Sequence, residues 1–223
     1  MTRAVDQEKA GPRRQARGER RIAQLLEAAA NVFCTTGYTA SSTNAIAREA
    51  GVSPGTLYQF FPNKEAIAIE LGDRLIHEMR ETTGEALAAV DPATPLEEAI
   101  GTVVDRFTAF SCQHPVFFAL THGPDIPGRL TQEHDALHAH LLGQVEALIA
   151  AFLPGAPGAD VTRTARMCLG LYKAGLELVL SHEGGERDAY VRELKNVLIR
   201  YLEPLLTEYR DRTTTDLTTT RTP

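Results

Sequence analysis

From about Arg20 to Arg210 apolar residues recur every three or four positions. Nowhere do they alternate over the roughly four to eight residues that a half-buried strand needs. That period confines the chain to an all-α fold, because only a helix returns side chains to one face at about 3.6-residue intervals. Gly and Pro punctuate the runs. Ile22, Leu25, Leu26, Ala29 and Phe33 mark a first helix over about 20–36, which Gly37 is suited to end. Short helices follow over 43–50 and 54–60, then a long one over 63–90 with Ile67, Leu71, Leu75 and Met79 on one stripe. Further helices are predicted from Leu96 to Phe110, through Leu137 to Phe152, over 159–181 and over 187–210, with Pro204 expected to kink or interrupt the last. A short aromatic segment, Pro115 to Leu120, and a Gly/Pro-containing loop, Thr121 to Gly128, lie in between.

A chain of 223 residues that is 43% hydrophobic can bury a substantial core. The strongest apolar run, Ala147 to Leu153, is far shorter than the roughly 20 residues of a membrane helix. The start of the chain is basic and polar without a secretory-type apolar core, so the expectation is a cytoplasmic protein with no membrane partner. Cys34, Cys112 and Cys168 are widely separated and are expected to be buried free thiols. Net charge is −6 but unevenly divided: the first 64 residues carry nine Lys/Arg against five Asp/Glu, and the remainder carries −10. A basic end and an acidic body fit a protein that meets phosphates at one end only.

Ser42 to Phe61 has the parts of a helix-turn-helix: a short helix capped by Ser42 or Thr43, a turn at Gly51, and a second short helix opened by Pro54. The second helix of such a pair enters a major groove about 12 Å wide tip first. Small residues at its start, Ser53, Gly55 and Thr56, allow close approach to phosphates, and its N-terminal amides favour an anion. Val52 and Leu57 are the expected packing residues. Tyr58, Gln59 and Phe60 are expected to project toward DNA, with Lys64 placed to reach a phosphate.

Phe33-x-x-x-Gly37-Tyr38, Ile46-Ala47-Arg48-Glu49-Ala50-Gly51-Val52-Ser53, Gly55-Thr56-Leu57-Tyr58-Gln59-Phe60-Phe61 and Lys64-Glu65 together resemble the TetR family of repressors over about the first third of the ordered chain. The resemblance implies about nine helices, a homodimer, a palindromic double-stranded DNA operator, and a cavity for a small-molecule effector in a second domain. It implies phosphate contacts for Thr43, Ser53, Thr56, Tyr58 and Lys64, and base-facing positions for Asn44, Gly55 and Gln59. Phe60 stands where many relatives carry histidine or tyrosine, and either touches a thymine methyl or packs inside.

The expected organisation is a flexible basic arm (1–18), a three-helix helix-turn-helix domain (19–64), a helical ligand-binding and dimerisation domain (65–211) and a disordered, threonine-rich tail (212–223). Arg13, Arg14, Arg17, Arg20 and Arg21 either add phosphate or minor-groove contacts or are merely solvated. Phe107, Phe110, Phe117 and Phe118, with His77, His122, Tyr172 and Glu177, are the candidate ligand-binding residues; the alternative is that the aromatics fill a core. Leu176, Val179, Leu180, Val191, Leu194, Leu198, Tyr201, Leu202 and Leu205 offer more apolar surface than one layer hides and suggest a four-helix dimer interface, with Gly170, Ala174 and Gly175 allowing close helix approach. His134 and His138, four apart with Glu133 and His140 nearby, could meet a metal from one helical face, although a polar face is the plainer reading. No metal, cofactor or catalytic constellation is expected. The function expected is repression relieved by ligand, the long helix after Asn63 transmitting the signal. Its rivals are a regulator of the same fold that activates or needs no ligand, and an enzyme or carrier on the same scaffold.

Overall fold

A computed structural model describes the backbone of residues 12–122 and 127–219, and the side-chain surroundings of 16–121 and 127–209. The described residues form nine helices and no strand: α1 (Pro12–Thr36), α2 (Thr43–Glu49), α3 (Pro54–Tyr58), α4 (Lys64–Ala88), α5 (Leu96–Gln113), α6 (Pro115–His122), α7 (Gly128–Phe152), α8 (Gly158–Leu180) and α9 (Gly184–Thr219). They group into two compact units. Among the described residues, one comprises those up to Asp73 with those between Phe118 and Leu130; the other comprises Arg74–Phe117 with those from Thr131 on.

The largest departures from expectation are at the two ends of the chain and after Pro115. The first helix begins at Pro12 rather than Arg20, so the later part of the expected arm is helical. Pro is tolerated in a first turn, where its missing N–H has no partner to lose, and Arg, Gln and Ala are good helix formers. The rest of the expected arm lies outside the described residues. Helix α9 runs on to Thr219, past the expected start of the tail, and continues through Pro204 instead of stopping there. Buried Leu202, Leu206 and Tyr209 anchor α9 on both sides of that proline, offsetting the lost backbone hydrogen bond. The aromatic segment after Pro115 is helical.

In the N-terminal unit, Leu25, Leu26, Ala29 and Phe33 of α1, Ile46 and Ala47 of α2, Leu57 of α3 and Ile67 and Leu71 of α4 are buried. Cys34, expected inside, is exposed, because it falls on the face opposite this stripe. Gly72 admits α7: a Cβ there would collide with the Leu130 side chain.

The C-terminal unit has a larger core, drawn from Met79 and Leu87 of α4, Phe107 and Phe110 of α5, Leu137, Leu141 and Ile149 of α7, Ala165 of α8 and Leu202 and Leu206 of α9. Burial of this kind is worth about 1.5–3 kcal/mol for each large side chain. Polar links add register. Lys195 Nζ meets Asp105 Oδ1 at 2.6 Å, and the Tyr209 hydroxyl donates to Asp160 Oδ2 at 2.9 Å. Gly175 lies where a Cβ would come within 2.6 Å of Leu194, so its role in close helix approach is to seat α9 of the same chain.

Candidate nucleic-acid interface and apolar cavity

Short helices need their ends held, since α2 and α3 are below the length at which propensity sustains a helix. Ser42 caps α2, its Oγ accepting from the Ala45 amide at 3.2 Å, and Ser53 caps α3, accepting from the Thr56 amide at 3.1 Å. The end of α2 is closed by a Schellman arrangement. Gly51 takes φ +65, the Val52 amide donates to Ala47 O at 2.9 Å, and the Gly51 amide donates to Arg48 O at 3.1 Å. Gln24 of α1 donates to Ala50 O at 2.7 Å, tying that same end to the neighbouring helix. Leu57 is fully buried while Val52 is half-buried, so Leu57 is the principal anchor of α3.

The outer face so formed brings together most of the expected DNA-facing residues. Asn44, Ser53, Gly55, Tyr58 and Gln59 are exposed, and Thr43, Thr56 and Phe60 are half-buried. The Tyr58 and Thr43 hydroxyls lie 3.0 Å apart, joining the start of α2 to the end of α3, and the Ser53 and Thr56 hydroxyls lie 2.9 Å apart. Tyr58 keeps 51% of its surface exposed, although a ring of that size normally packs. Phe61, not Phe60, is the phenylalanine buried beneath this face.

Lys64 departs from its expected place. Its ammonium donates to the carbonyls of Tyr38 (2.7 Å), Thr39 (3.1 Å) and Ser41 (3.0 Å) and lies 4.4 Å from the centre of the Tyr38 ring. All three of its protons are engaged in holding the α1–α2 turn. A distance of more than twenty residues separates Lys64 from these carbonyls, so no local pattern announces the contact.

The C-terminal unit contains a cavity of about 90 Å³. Its wall is almost wholly hydrocarbon: Leu96, Ile100 and Val103 of α5, Leu148 of α7, Leu169 of α8 and Leu198 of α9 are representative. Of the eight candidate ligand residues, Phe107 and Tyr172 are on the wall, their rings edge to face at 5.7 Å. Phe110 is buried in the core beside the cavity, and Phe117 packs edge to face against it at 5.7 Å. Phe118 belongs to the other unit. His77 points outward, its side chain 75% exposed and 3.4 Å from Glu81, because the inward positions of that turn are Ile76 and Met79. Glu177 is likewise exposed, with Val179 the buried residue beside it. The His122 side chain lies outside the described residues.

Burial pushes the Tyr172 phenol up to about 12, with the Thr108 and Ser111 hydroxyls partly opposing the rise. Neither hydroxyl meets hydrogen-bonding geometry with it: the Tyr172 oxygen and Thr108 Oγ1 are both buried without a partner, and Ser111 donates to Phe107 O at 3.0 Å. The neutral phenol is therefore an unused donor at the cavity. Cys168, also on the wall, is pushed up to about 12 by burial and is an unreactive thiol at neutral pH.

The outer faces of α8 and α9 are apolar. Met167 (46%), Leu178 (48%) and Val197 (41%) are exposed in the single chain, and Leu171, Ala174, Tyr190 and Leu194 line a shallow groove with Leu178 and Val197. Val179, Leu194, Leu198 and Leu202, expected at the dimer face, are at most 5% exposed and belong to the chain's own core. The rings of His134 and His138 stack edge to face at 4.7 Å, and no group of three His, Cys, Asp or Glu among the described residues could hold a metal ion. Burial, then Lys173, holds His138 below the ordinary histidine range, with Asp135 opposing. Among the described residues no helix is long and apolar enough to cross a membrane.

Comparison with known proteins matches an N-terminal and a C-terminal region. Residues 25–71 match the family model for bacterial regulatory proteins of the tetR family, and residues 94–206 match the tetracyclin repressor-like C-terminal domain. An uncharacterized HTH-type transcriptional regulator of Bacillus subtilis (strain 168), YhgD, is 33% identical over 90 residues, covering 40% of this chain and 46% of that protein. The fatty acid metabolism regulator protein of the same organism is 32% identical over 91 residues, 41% of this chain and 46% of its own length. The chain thus spans about half the length of these curated relatives. Among solved structures, a TetR-like regulator from Rhodococcus sp. RHA1 superposes with a TM-score of 0.65 at 21% identity, covering 82% of this chain and 96% of that one. FadR from Bacillus subtilis, solved in complex with stearoyl-CoA, gives 0.62 at 20% identity over 79% of this chain and 97% of its own. Capped helix-turn-helix, helical second unit and family models agree: the chain belongs to the TetR family of bacterial regulatory proteins.

Proposed function

We propose that this chain is a homodimeric repressor that binds two-fold symmetric duplex DNA through α3 and releases it when a small, largely apolar effector occupies the cavity of the C-terminal unit. The exposed Tyr58 ring carries the reading. An aromatic left half in solvent, with its hydroxyl held by Thr43 on a helix capped at both ends, is built to meet a surface that is not part of the chain.

In this reading Thr43, Ser53, Thr56 and Tyr58 contact phosphates, and Asn44, Gly55 and Gln59 face base edges. Phe60 contributes its half-exposed ring edge to a thymine methyl. Lys64 acts as a positioning residue, fixing the turn that presents α2. A second copy covers the apolar faces of α8 and α9 through Met167, Leu178 and Val197, placing two α3 helices about 34–36 Å apart. The apolar wall suits a hydrocarbon effector, as does the acyl-CoA found with the Bacillus FadR. Linkage requires that an effector lowering DNA affinity by some factor be itself bound more weakly by the DNA complex, by that same factor.

The test is Tyr58→Ala in the full chain. Its affinity for a specific duplex should fall at least tenfold with its salt slope nearly unchanged, because a neutral phenol displaces no counterion, while sedimentation still gives a dimer. Unchanged affinity would reject the role given to Tyr58.

A further inference from the structure

Among the described residues of the C-terminal unit, four buried side-chain polar atoms have no hydrogen-bond partner: Arg80 Nε on α4, Thr108 Oγ1 on α5, Gln144 Oε1 on α7 and the Tyr172 hydroxyl on α8. Buried polar groups are nearly always paired, so four on four different helices call for an explanation. Contacts between those helices bring the four to one level. His114 Nε2 lies 3.2 Å from Glu78 Oε1, which registers antiparallel α4 and α5. A Cβ on Gly84 would sit 3.7 Å from Gln144 Nε2, which registers α4 and α7. The Phe107 and Tyr172 rings, 5.7 Å apart, register α5 and α8. At a rise of about 1.5 Å per residue, Arg80, Thr108 and Gln144 then fall within about 6 Å of one another along the bundle axis, at the level of Tyr172.

This level is one end of the apolar cavity. Tyr172 is on its wall, whereas Thr108, Gln144 and Arg80 are not on the wall but lie near this level. Leu87, the wall residue from α4, lies two turns beyond Arg80 toward the other end. The chemistry of the four is dominated by donors. Arg80 carries a guanidinium, and its side chain forms no ion pair or hydrogen bond among the described residues. The Tyr172 phenol, pushed up to about 12, is a neutral donor at physiological pH, and Thr108 supplies another hydroxyl. A hydrocarbon wall that carries the Tyr172 hydroxyl, with the unpaired Arg80 Nε and Thr108 hydroxyl at the level of that end, is complementary to a chain with an anionic, acceptor-only head.

We infer that the effector is an aliphatic monocarboxylate, its tail in the cavity and its free carboxylate held by Arg80, with Tyr172 and Thr108 completing the hydrogen bonds. This rests on the cavity being the effector site, and it selects among apolar ligands. A carboxylate enters a dry site only where a cation and donors replace its water, whereas an alcohol or thioester has little to gain from Arg80.

Calorimetric titration of the full-length dimer with octanoate, octanol and octanoyl-CoA tests it. Octanoate should bind at least tenfold tighter than octanol and tighter than the thioester. Arg80→Met should abolish that preference while octanol still binds, and Tyr172→Phe should weaken octanoate at least fivefold. Equal binding of octanoate and octanol, or preference for octanoyl-CoA, overturns the carboxylate head but leaves the apolar effector site standing. If none of the three binds to protein that still binds specific DNA, the effector site itself fails. Should Arg80→Met not fold, Tyr172→Phe decides alone, because it keeps the ring that packs on Phe107 and removes only the donor; an unchanged octanoate affinity then rejects the inference.

Discussion

Replacing Thr108 with valine should make the ligand-free protein more stable, contrary to the usual outcome of changing a residue only 6% exposed. The shapes of the two side chains match, so no cavity opens. The hydroxyl removed has no partner, and burying one without a hydrogen bond costs about 1–3 kcal/mol in proteins. Valine and threonine have similar helix propensity, so α5 itself is indifferent. Taking the lower half of that range, Thr108→Val should gain about 1 kcal/mol, which for a chain of this size raises Tm by about 2–4 °C. Scanning calorimetry at fixed protein concentration measures it, the concentration mattering because a dimer's Tm depends on it. Ser111→Ala is the control: its hydroxyl donates to Phe107 O, a carbonyl in the same helix, and its loss should leave Tm nearly unchanged. A double mutant with Tyr172→Phe should be additive, since the Thr108 and Tyr172 oxygens do not pair. A fall in Tm for Thr108→Val, or strong coupling in that cycle, would mean the hydroxyls satisfy each other, and the argument from unpaired donors would be refuted.

Two further outcomes follow from the geometry. Lys64→Met removes three donated hydrogen bonds to the α1–α2 turn and should lower stability by about 1–2 kcal/mol, discounted for partial exposure; a residue serving only as a phosphate ligand would leave Tm alone and change the salt slope instead. His138 has its pKa lowered in the folded state, so the fold prefers the neutral ring. Its contribution is intact above the unfolded value of about 6.5 and is lost as pH falls below it, so His138→Gln should reduce the drop in Tm between about pH 7.5 and 5.5, and an unaltered drop would contradict the assignment.

How much of this was readable from residues alone depends on how local each signal is. The helix-turn-helix is marked within a few positions: Ser42 and Ser53 as caps, Pro54 opening α3, Gly51 accepting the positive φ that closes α2. The Lys64 contacts escape such reading because they reach back to carbonyls at 38–41. The cavity has no signature either, since Leu96, Ile100 or Leu148 beside an empty space is indistinguishable in sequence from the same residue in a filled core. Phase decides the rest. His77 and Glu177 lie on helices that contribute to the core, but neighbouring positions are turned by about 100°, and Ile76 and Val179 take the inward places instead. For the same reason Leu178 and Val197 are left outside while Leu194 and Leu198 pack within the chain. The extra turns of α1 are a different case: a segment poor in apolar residues reads as unstructured although its Arg, Gln and Ala favour helix.

Selection of bound sequences from a pool of random duplexes, at low salt with the full-length protein, tests whether α3 reads a two-fold symmetric operator. One sequence should be enriched, with two inverted half-sites centred about one helical turn apart, and Gln59→Ala should relax the preference within each half-site without abolishing binding. Recovery of no symmetric sequence, or of the same sequence with the same stringency when the exposed face of α3 is altered, would contradict this role of α3.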